Sequence, residues 1–367
     1  MPKISIFIPV YRESKLLPKI LTKLLIQNVE KEIFVIIDEP TEFSLEISKK
    51  FRDKVNFIIN EERIGKANAL NNAVKLSSGQ ILLFLDSDIE IPDDSEFIKK
   101  IIEEIKDTDI LDIKKEVVRD SFLSKMTYYE YVGFNIGSWL LARFLKRCPS
   151  INGSAFAMRR KVFSSLKGFR RTINEDTDIA TRAFISGYRF KYTKKVKVYN
   201  HVHSSLRDWI KQRRRWSIGT ALWLKEWYKP LLKTVISNPQ IIILALLLLF
   251  PSLLLFLLSI FVSDLWMYKF FSLIFLFLAI KFNIALPALI LITLSITFVR
   301  NIYFSFTSFL VFSILFFAFS RKLEFEFKIH EFFVYYFFYS LLNLFITING
   351  FIRVLIFKKK SVPDWKI

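Results

Sequence analysis

Near Ser237-Asn238-Pro239 the chain changes character. Before that point charges and short apolar runs alternate; residues 240–356 are dominated by Leu, Ile and Phe. Ile241 to Val262 carries no charge over about 22 residues, long enough to span the hydrocarbon core of a bilayer, roughly 30 Å. A second apolar stretch, Phe270 to Val299, is interrupted by Lys281 and Asn283. Ile302 to Phe319 forms a third block and Phe332 to Phe357 a fourth, separated by the polar run Arg321 to His330. Cores of soluble proteins use apolar pieces of about 10–14 residues, so these runs predict membrane spans. Four spans are expected, or five if the second stretch divides.

The cations give an orientation. Arg207 to Lys233 mixes Lys and Arg with Trp, Tyr and Leu, and Lys358-Lys359-Lys360 follows the last block. Basic flanks mark the cytoplasmic side, so an even number of spans, a cytoplasmic first domain and a multi-pass position in the cell membrane are expected. Formal net charge is +20. A basic run could bind nucleic acid, but here the aromatics and the adjoining apolar block favour an anionic membrane surface, and nucleic acid is not an expected partner. Two stretches, about 122–147 and 205–233, read as amphipathic helices at that surface. An ordinary surface helix remains the other reading of the first. The domain split is thus 1–235 and 236–367. PKISIFIPVY is too short for a signal peptide and reads as a strand. One cysteine, Cys148, leaves no internal disulfide.

The first 90 residues alternate in type. Strands are predicted at Ile4–Val10, Glu32–Ile37, Val55–Ile59 and Gln80–Leu85, with helices at Ser14–Gln27 (Ser14 as cap), Glu42–Phe51 and Lys66–Leu76. This order implies an α/β domain built on a parallel sheet with helices on both faces, and ligands in such sheets sit at the carboxyl ends of the strands. Those ends carry Pro9 to Glu13, Asp38-Glu39, Asn60-Glu61 and Asp86-Ser87-Asp88. No glycine-rich dinucleotide fingerprint and no GxxxxGK loop is present, which disfavours a dehydrogenase or an ordinary ATPase. Asp88, helped by Asp86, could instead hold Mg²⁺ or Mn²⁺ against a diphosphate, because such cations need only one or two protein carboxylates beside phosphate and water.

Several ordered motifs between Lys3 and Trp216 resemble family 2 glycosyltransferases, inverting enzymes of the Rossmann-like GT-A fold. They are Ile8-Pro9-Val10-Tyr11-Arg12-Glu13, Asp38, Gly65-Lys66-Ala67-Asn68-Ala69-Leu70-Asn71, Asp86-Ser87-Asp88, Asn152-Gly153-Ser154-Ala155, Asn174-Glu175-Asp176-Thr177-Asp178 and Gln212-Arg213-Arg214-Arg215-Trp216. The resemblance implies nucleotide binding by Pro9, Tyr11, Glu13, Asp38, Lys66 and Asp86, a metal at Asp86 and Asp88, and a Glu175-Asp176 pair with Asp176 as base. It further implies that Gln212, Arg215 and Trp216 serve the reaction, with Arg215 on the diphosphate and Trp216 near the acceptor. Asp178 reads as structural, and Arg213 and Arg214 as juxtamembrane anchors.

Two departures bear on the site. The second strand ends in Asp38-Glu39-Pro40-Thr41-Glu42, where the family has two acids and a later Ser-x-Asp. Asn200-His201-Val202-His203 replaces the acid and proline expected ahead of QxxRW. Two histidines two apart would share one side of an extended segment, so His201 or His203 is a candidate metal ligand. The functional expectation is transfer of a hexosyl group from a UDP- or GDP-sugar to a membrane-lipid acceptor, such as polyprenyl phosphate or a glycolipid. A processive polysaccharide synthase is the alternative, and a non-catalytic membrane scaffold the third reading.

Overall fold

The computed structural model describes residues 3–237, 265–282 and 288–358. It divides into two compact units, Met1–Asn238 with Leu323–Ile367, and Pro239–Lys322. The described residues from Leu323 onward therefore cluster with the first unit.

The first unit is built on one eight-stranded sheet. Its strands are β1 (Ile4–Tyr11), β2 (Lys31–Asp38), β3 (Asn56–Asn60), β4 (Ile81–Leu85), β5 (Ile89–Glu90), β6 (Ile110–Val117), β7 (Ala155–Arg159) and β8 (Phe190–Asn200), in the order β3-β2-β1-β4-β7-β6-β8-β5. The first four strands match the sequence reading to within a residue or two and pair in parallel. The sheet as a whole is mixed, which corrects the expectation of a parallel one: β7 runs antiparallel to both β4 and β6. Its five residues, AFAMR, are short and pair with strands distant in sequence, so no local pattern announces their direction.

The helices α1 (Leu17–Leu25), α2 (Glu42–Phe51), α3 (Lys66–Leu76) and α4 (Phe97–Glu104) follow from apolar periodicity. Alternate side chains of β1, β2 and β4, such as Ile6, Val35 and Leu83, form one core with Leu17, Leu21, Ile47 and Ile101 from α1, α2 and α4. The other face carries stacked rings, Phe34 on Phe7, Phe7 on Phe84, and Phe84 on Phe156. Full burial of each such side chain contributes about 1.5–3 kcal/mol. Ser14 does not cap α1. Its hydroxyl accepts from Leu16 N and donates to Ser87 O at 2.5 Å, joining the end of β1 to the acidic turn after β4.

Glu32 closes the opposite end of the sheet. Burial works against its charge, but Ser5 Oγ, the backbone N–H groups of Ser78 and Gly79, and Lys3 all donate to it and hold its carboxyl down at about 2. A depressed folded-state pKa means stability that is present above the unfolded value, about 4.3, and is lost as pH falls toward the folded one. Glu32→Ala should lower unfolding stability by about 1–3 kcal/mol at neutral pH, because it strands those donors. Denaturation of the detergent-solubilised chain at pH 7 and pH 3 checks this. The gap between wild type and variant should shrink at the lower pH.

Beyond the sheet come α5 (Phe122–Leu145), α6 (Arg160–Ser165), α7 (Glu175–Ile185) and α8 (Leu206–Ser237). α5 is one uninterrupted helix with a Ser121/Ser124 capping box. Its Tyr128, Tyr129, Val132 and Ile136 are buried, and Phe122, Phe134 and Phe144 are exposed.

The apolar remainder is helical where described. α9 spans Leu265–Phe282 and α10 spans Ala288–Lys322, so the expected third block, Ile302 to Phe319, continues a helix that begins before it. α11, Ile329–Leu355, contains a π-helical turn at Tyr335–Tyr339. Among the described residues two stretches are long and apolar enough to cross a membrane, Ile292–Lys322 and Ile329–Leu355. The expected first span, Ile241 to Val262, lies outside the described residues.

Candidate active site

β4 ends at Leu85, and the chain turns through Asp86-Ser87-Asp88 before β5 pairs antiparallel with the end of β8. That reversal places the acidic turn between two neighbours. On one side Asp86 N donates to Ser154 O at 2.9 Å; on the other His201 N donates to Asp88 O at 3.0 Å.

Lys66, the first residue of α3, joins the site's charges. Its Nζ lies 2.7 Å from Asp86 Oδ1 and 3.1 Å from Glu175 Oε1. Burial opposes its charge, but Asp86, Glu175 and Asp176 together keep it protonated well above the usual lysine range. Glu175 and Asp176 open α7. Asp176 is fixed through both oxygens: Gly153 N donates to Oδ2 at 2.8 Å and Thr177 N to Oδ1 at 2.7 Å. Only glycine fits at 153, because a Cβ there would lie 2.5 Å from Asp176 Oδ2 and 2.9 Å from its Cβ. Burial, with the Glu175 charge, pushes the Asp176 carboxyl up to about 6 against the pull of Lys66. Pro9, Lys66, Asp86, Gly153, Glu175 and Asp176 line one small cavity.

Asp88 keeps a solvent-exposed edge although protein atoms crowd it. Crowding and the adjacent Asp86 charge push its carboxyl up to about 7, against Lys66 and Arg215. A cation would relieve that repulsion. Among the described residues no set of three or more His, Cys, Asp or Glu side chains is gathered to hold a metal alone. The donors fit a hard divalent cation that arrives with a diphosphate and takes one or two protein carboxylates, here Asp88 with Asp86. The two histidines turn to different partners. His201 Nε2 lies 3.2 Å from Glu90 Oε2. His203 lies within the fields of Asp208, Arg215 and Arg213, and burial lowers its pKa.

α8 brings the cationic side. Burial lowers the Arg215 pKa, while Glu175, Asp86 and Asp176 counter it, so this guanidinium shares the acidic cluster's field. Arg214 is exposed and Gln212 and Trp216 are half-buried. Arg213 is no surface anchor. It is 3% exposed, ion-pairs with Glu130 of α5, donates to Tyr339 OH at 3.2 Å and lies 4.2 Å from the Trp216 ring centroid. Asp178 is structural: it takes Arg182 Nε at 2.8 Å, Arg170 Nη1 at 3.2 Å and Trp227 Nε1 at 3.3 Å.

The nucleotide-side candidates gather at the ends of β1 and β2. Asp38 accepts from Asn60 Nδ2 at 2.9 Å and from Gly65 N at 3.0 Å, fixing the turn into α3. Tyr11 OH donates to Glu39, and Thr41 Oγ1 donates to Glu13. Arg63, which the sequence reading passed over, lies 4.3 Å from the Tyr11 ring centroid and bears on Arg215. Its signal was a cation two residues ahead of Gly65 in the turn into α3. Glu130 was also missed. It is the lone acid in an aromatic helix, and such an acid needs a buried partner.

The sequence profile described as Glycosyl transferase family 2 matches residues 5–167. The chain is 29% identical over 242 residues to the poly-beta-1,6-N-acetyl-D-glucosamine synthase of Staphylococcus epidermidis, covering 63% of this chain and 58% of the relative. It is 28% identical over 225 residues to the Staphylococcus aureus synthase, covering 59% and 54%. It thus spans a little over half the length of these curated relatives. Among solved structures, the mannosyltransferase of Pyrobaculum calidifontis in complex with GDP-Man and Mn2+ superposes with a TM-score of 0.53 at 17% identity over 86% of each chain. The first unit therefore has a GT-A-like fold: a Rossmann-like mixed sheet, followed in sequence by apolar helices.

Proposed function

We propose that this chain is a membrane-associated family 2 glycosyltransferase that moves a glycosyl group from a nucleoside-diphosphate sugar to an acceptor hydroxyl with inversion. The observation that carries the reading is the convergence of Asp86, Lys66, Glu175, Asp176 and Arg215 at the strand ends. Asp176, oriented by Gly153 N and Thr177 N, takes the proton from the acceptor hydroxyl as its oxygen attacks the anomeric carbon. The bond from that carbon to the diphosphate breaks, and the electron pair leaves with the diphosphate. Arg215 and Lys66 lie where that charge grows. A Mg²⁺ or Mn²⁺ held by Asp88 and Asp86 would supply further positive charge to the diphosphate. Tyr11, Glu13 and Asp38 shape the nucleotide side, with Pro9 at the floor.

The likeness to the poly-beta-1,6-N-acetyl-D-glucosamine synthases supports repeated addition to a growing polysaccharide as the first reading of the acceptor. One observation favours a single transfer to a lipid or lipid-linked acceptor: the apolar α11 packs directly on the helix that carries Arg215 and Trp216. Product size separates the two. Labelled donor incubated with the purified chain and membrane lipid extract should give a ladder or high polymer in the first case, and one butanol-soluble glycolipid in the second. A chain that turns over no donor is a scaffold. Chelation should abolish turnover and Mn²⁺ or Mg²⁺ restore it. Asp88→Asn should cost about 10²–10³ in kcat, the scale on which a charge-stabilising group is felt.

A further inference from the structure

α11 is long and apolar enough to cross a bilayer, yet its neighbours argue against crossing. The segment before it, Leu323 to Lys328, is bound to the catalytic unit. Lys114 Nζ donates to the carbonyls of Leu323 and Glu324 at 2.7 and 2.8 Å; Tyr128 OH donates to Glu326 O at 3.0 Å, and Tyr129 OH to Lys328 O at 3.1 Å. α11 therefore starts on the catalytic side.

It then runs beside α8 in the same direction. Tyr339 meets Trp209 and Arg213, Gly350 packs so closely on Ser217 that no Cβ would fit, and Val354 joins Ile218 and Ala221. Both helices lie at one depth along this length. α8 carries Arg207, Asp208, Lys211, Arg214, Lys225 and Lys229 on exposed positions. Each such charge would cost about 2.5–3.5 kcal/mol or more at the bilayer centre. A crossing α11 would drag this helix, and the site with it, into hydrocarbon. Its outward face instead carries one apolar stripe, Phe338, Leu341, Phe345, Ile348, Ile352 and Leu355, all exposed and spaced three or four apart. An apolar stripe flanked by cations is the pattern of a helix lying in the membrane interface. The flanking cations here are Lys225, Lys229 and Lys358.

We propose that α11 lies in the headgroup interface of an anionic bilayer, apolar stripe inward, and does not cross it. Lys358 then lies on the catalytic side. This placement stands whether or not the proposed reaction does.

Thiol labelling of the full chain in sealed membrane vesicles tests it. Cys148 is buried, with its thiol pushed up to about 12 by that burial, so the native chain offers no reactive thiol. Asp107→Cys reports the catalytic unit, Glu324→Cys the segment before α11, and Lys358→Cys its far end. Phe357→Cys replaces the last if that variant fails to insert. With a membrane-impermeant maleimide, all three should label from the same side. Label on Lys358→Cys only from the side opposite Asp107→Cys means that α11 crosses and overturns the proposal. Label on Glu324→Cys from the opposite side overturns it too, because the docked segment would then lie across the membrane.

Discussion

Asp176→Asn should reduce kcat/KM for glycosyl transfer by about 10²–10⁴ while leaving donor binding within a few-fold, the range expected for loss of a general base. Asparagine keeps the shape, but its single amide oxygen can accept from only one of Gly153 N and Thr177 N, so an unchanged thermal unfolding midpoint is needed for the loss to be read as chemical and not one of folding. The pH profile carries the sign. Asp176 acts as a base only when ionised, and burial beside Glu175 raises its carboxyl to about 6. In wild type, kcat/KM should therefore be flat above that pH and fall about tenfold per unit below it. An Asp176→Asn variant with wild-type rates would remove the proposed base. A flat wild-type profile down to pH 4 would do the same.

Arg213→Met should destabilise the solubilised chain by about 3–5 kcal/mol, the cost of stranding one partner of a buried ion pair. The Arg213 and Glu130 side chains are 3% and 8% exposed. Glu130 also accepts from Tyr339 OH at 2.7 Å and from Asn343 Nδ2 at 3.2 Å, so α5, α8 and α11 meet at one carboxylate. Adding Glu130→Gln to Arg213→Met should recover much of the loss, because the stranded charge is removed. Thermal unfolding of the two variants measures this. Equal midpoints for wild type and Arg213→Met would mean that the three helices are not joined there.

The two residues show how much of their placement was legible in the sequence. The position of Asp176 at a helix start was readable from the acids that open the segment, among ordered motifs that resemble a known family. Arg213 was misread because QRRRW looks like one solvated basic run. Its helical spacing held the correction: Trp209, Arg213, Ser217 and Ala221 recur every four residues and share the face that packs inward. β1 to β4 were legible almost to the residue because each is an apolar run ended by a polar turn. The direction of β7 was not, since strand pairing across 70 residues leaves no local trace. Of the apolar blocks, those among the described residues are helical, though Ile302 to Phe319 is part of the longer helix Ala288–Lys322. Which of them meets lipid on all sides depends on neighbours that the sequence does not name. For α11 the neighbour is the charged helix α8. The placing of the histidines was not legible for a related reason. Spacing put them on one side of a strand, but β8 ends at Asn200, and His201 turns to Glu90.

The most direct test of the catalytic reading is release of nucleoside diphosphate by the purified full chain. UDP- and GDP-sugars are supplied with Mn²⁺ or Mg²⁺ and a membrane lipid extract as acceptor source. At least one donor should be turned over, only with the cation present, and the Asp88→Asn/Asp176→Asn double variant should remain folded but release nothing above background. Release by that double variant at the wild-type rate, or none from any donor by a folded wild type, would contradict the assignment of this cleft as a glycosyl-transfer site.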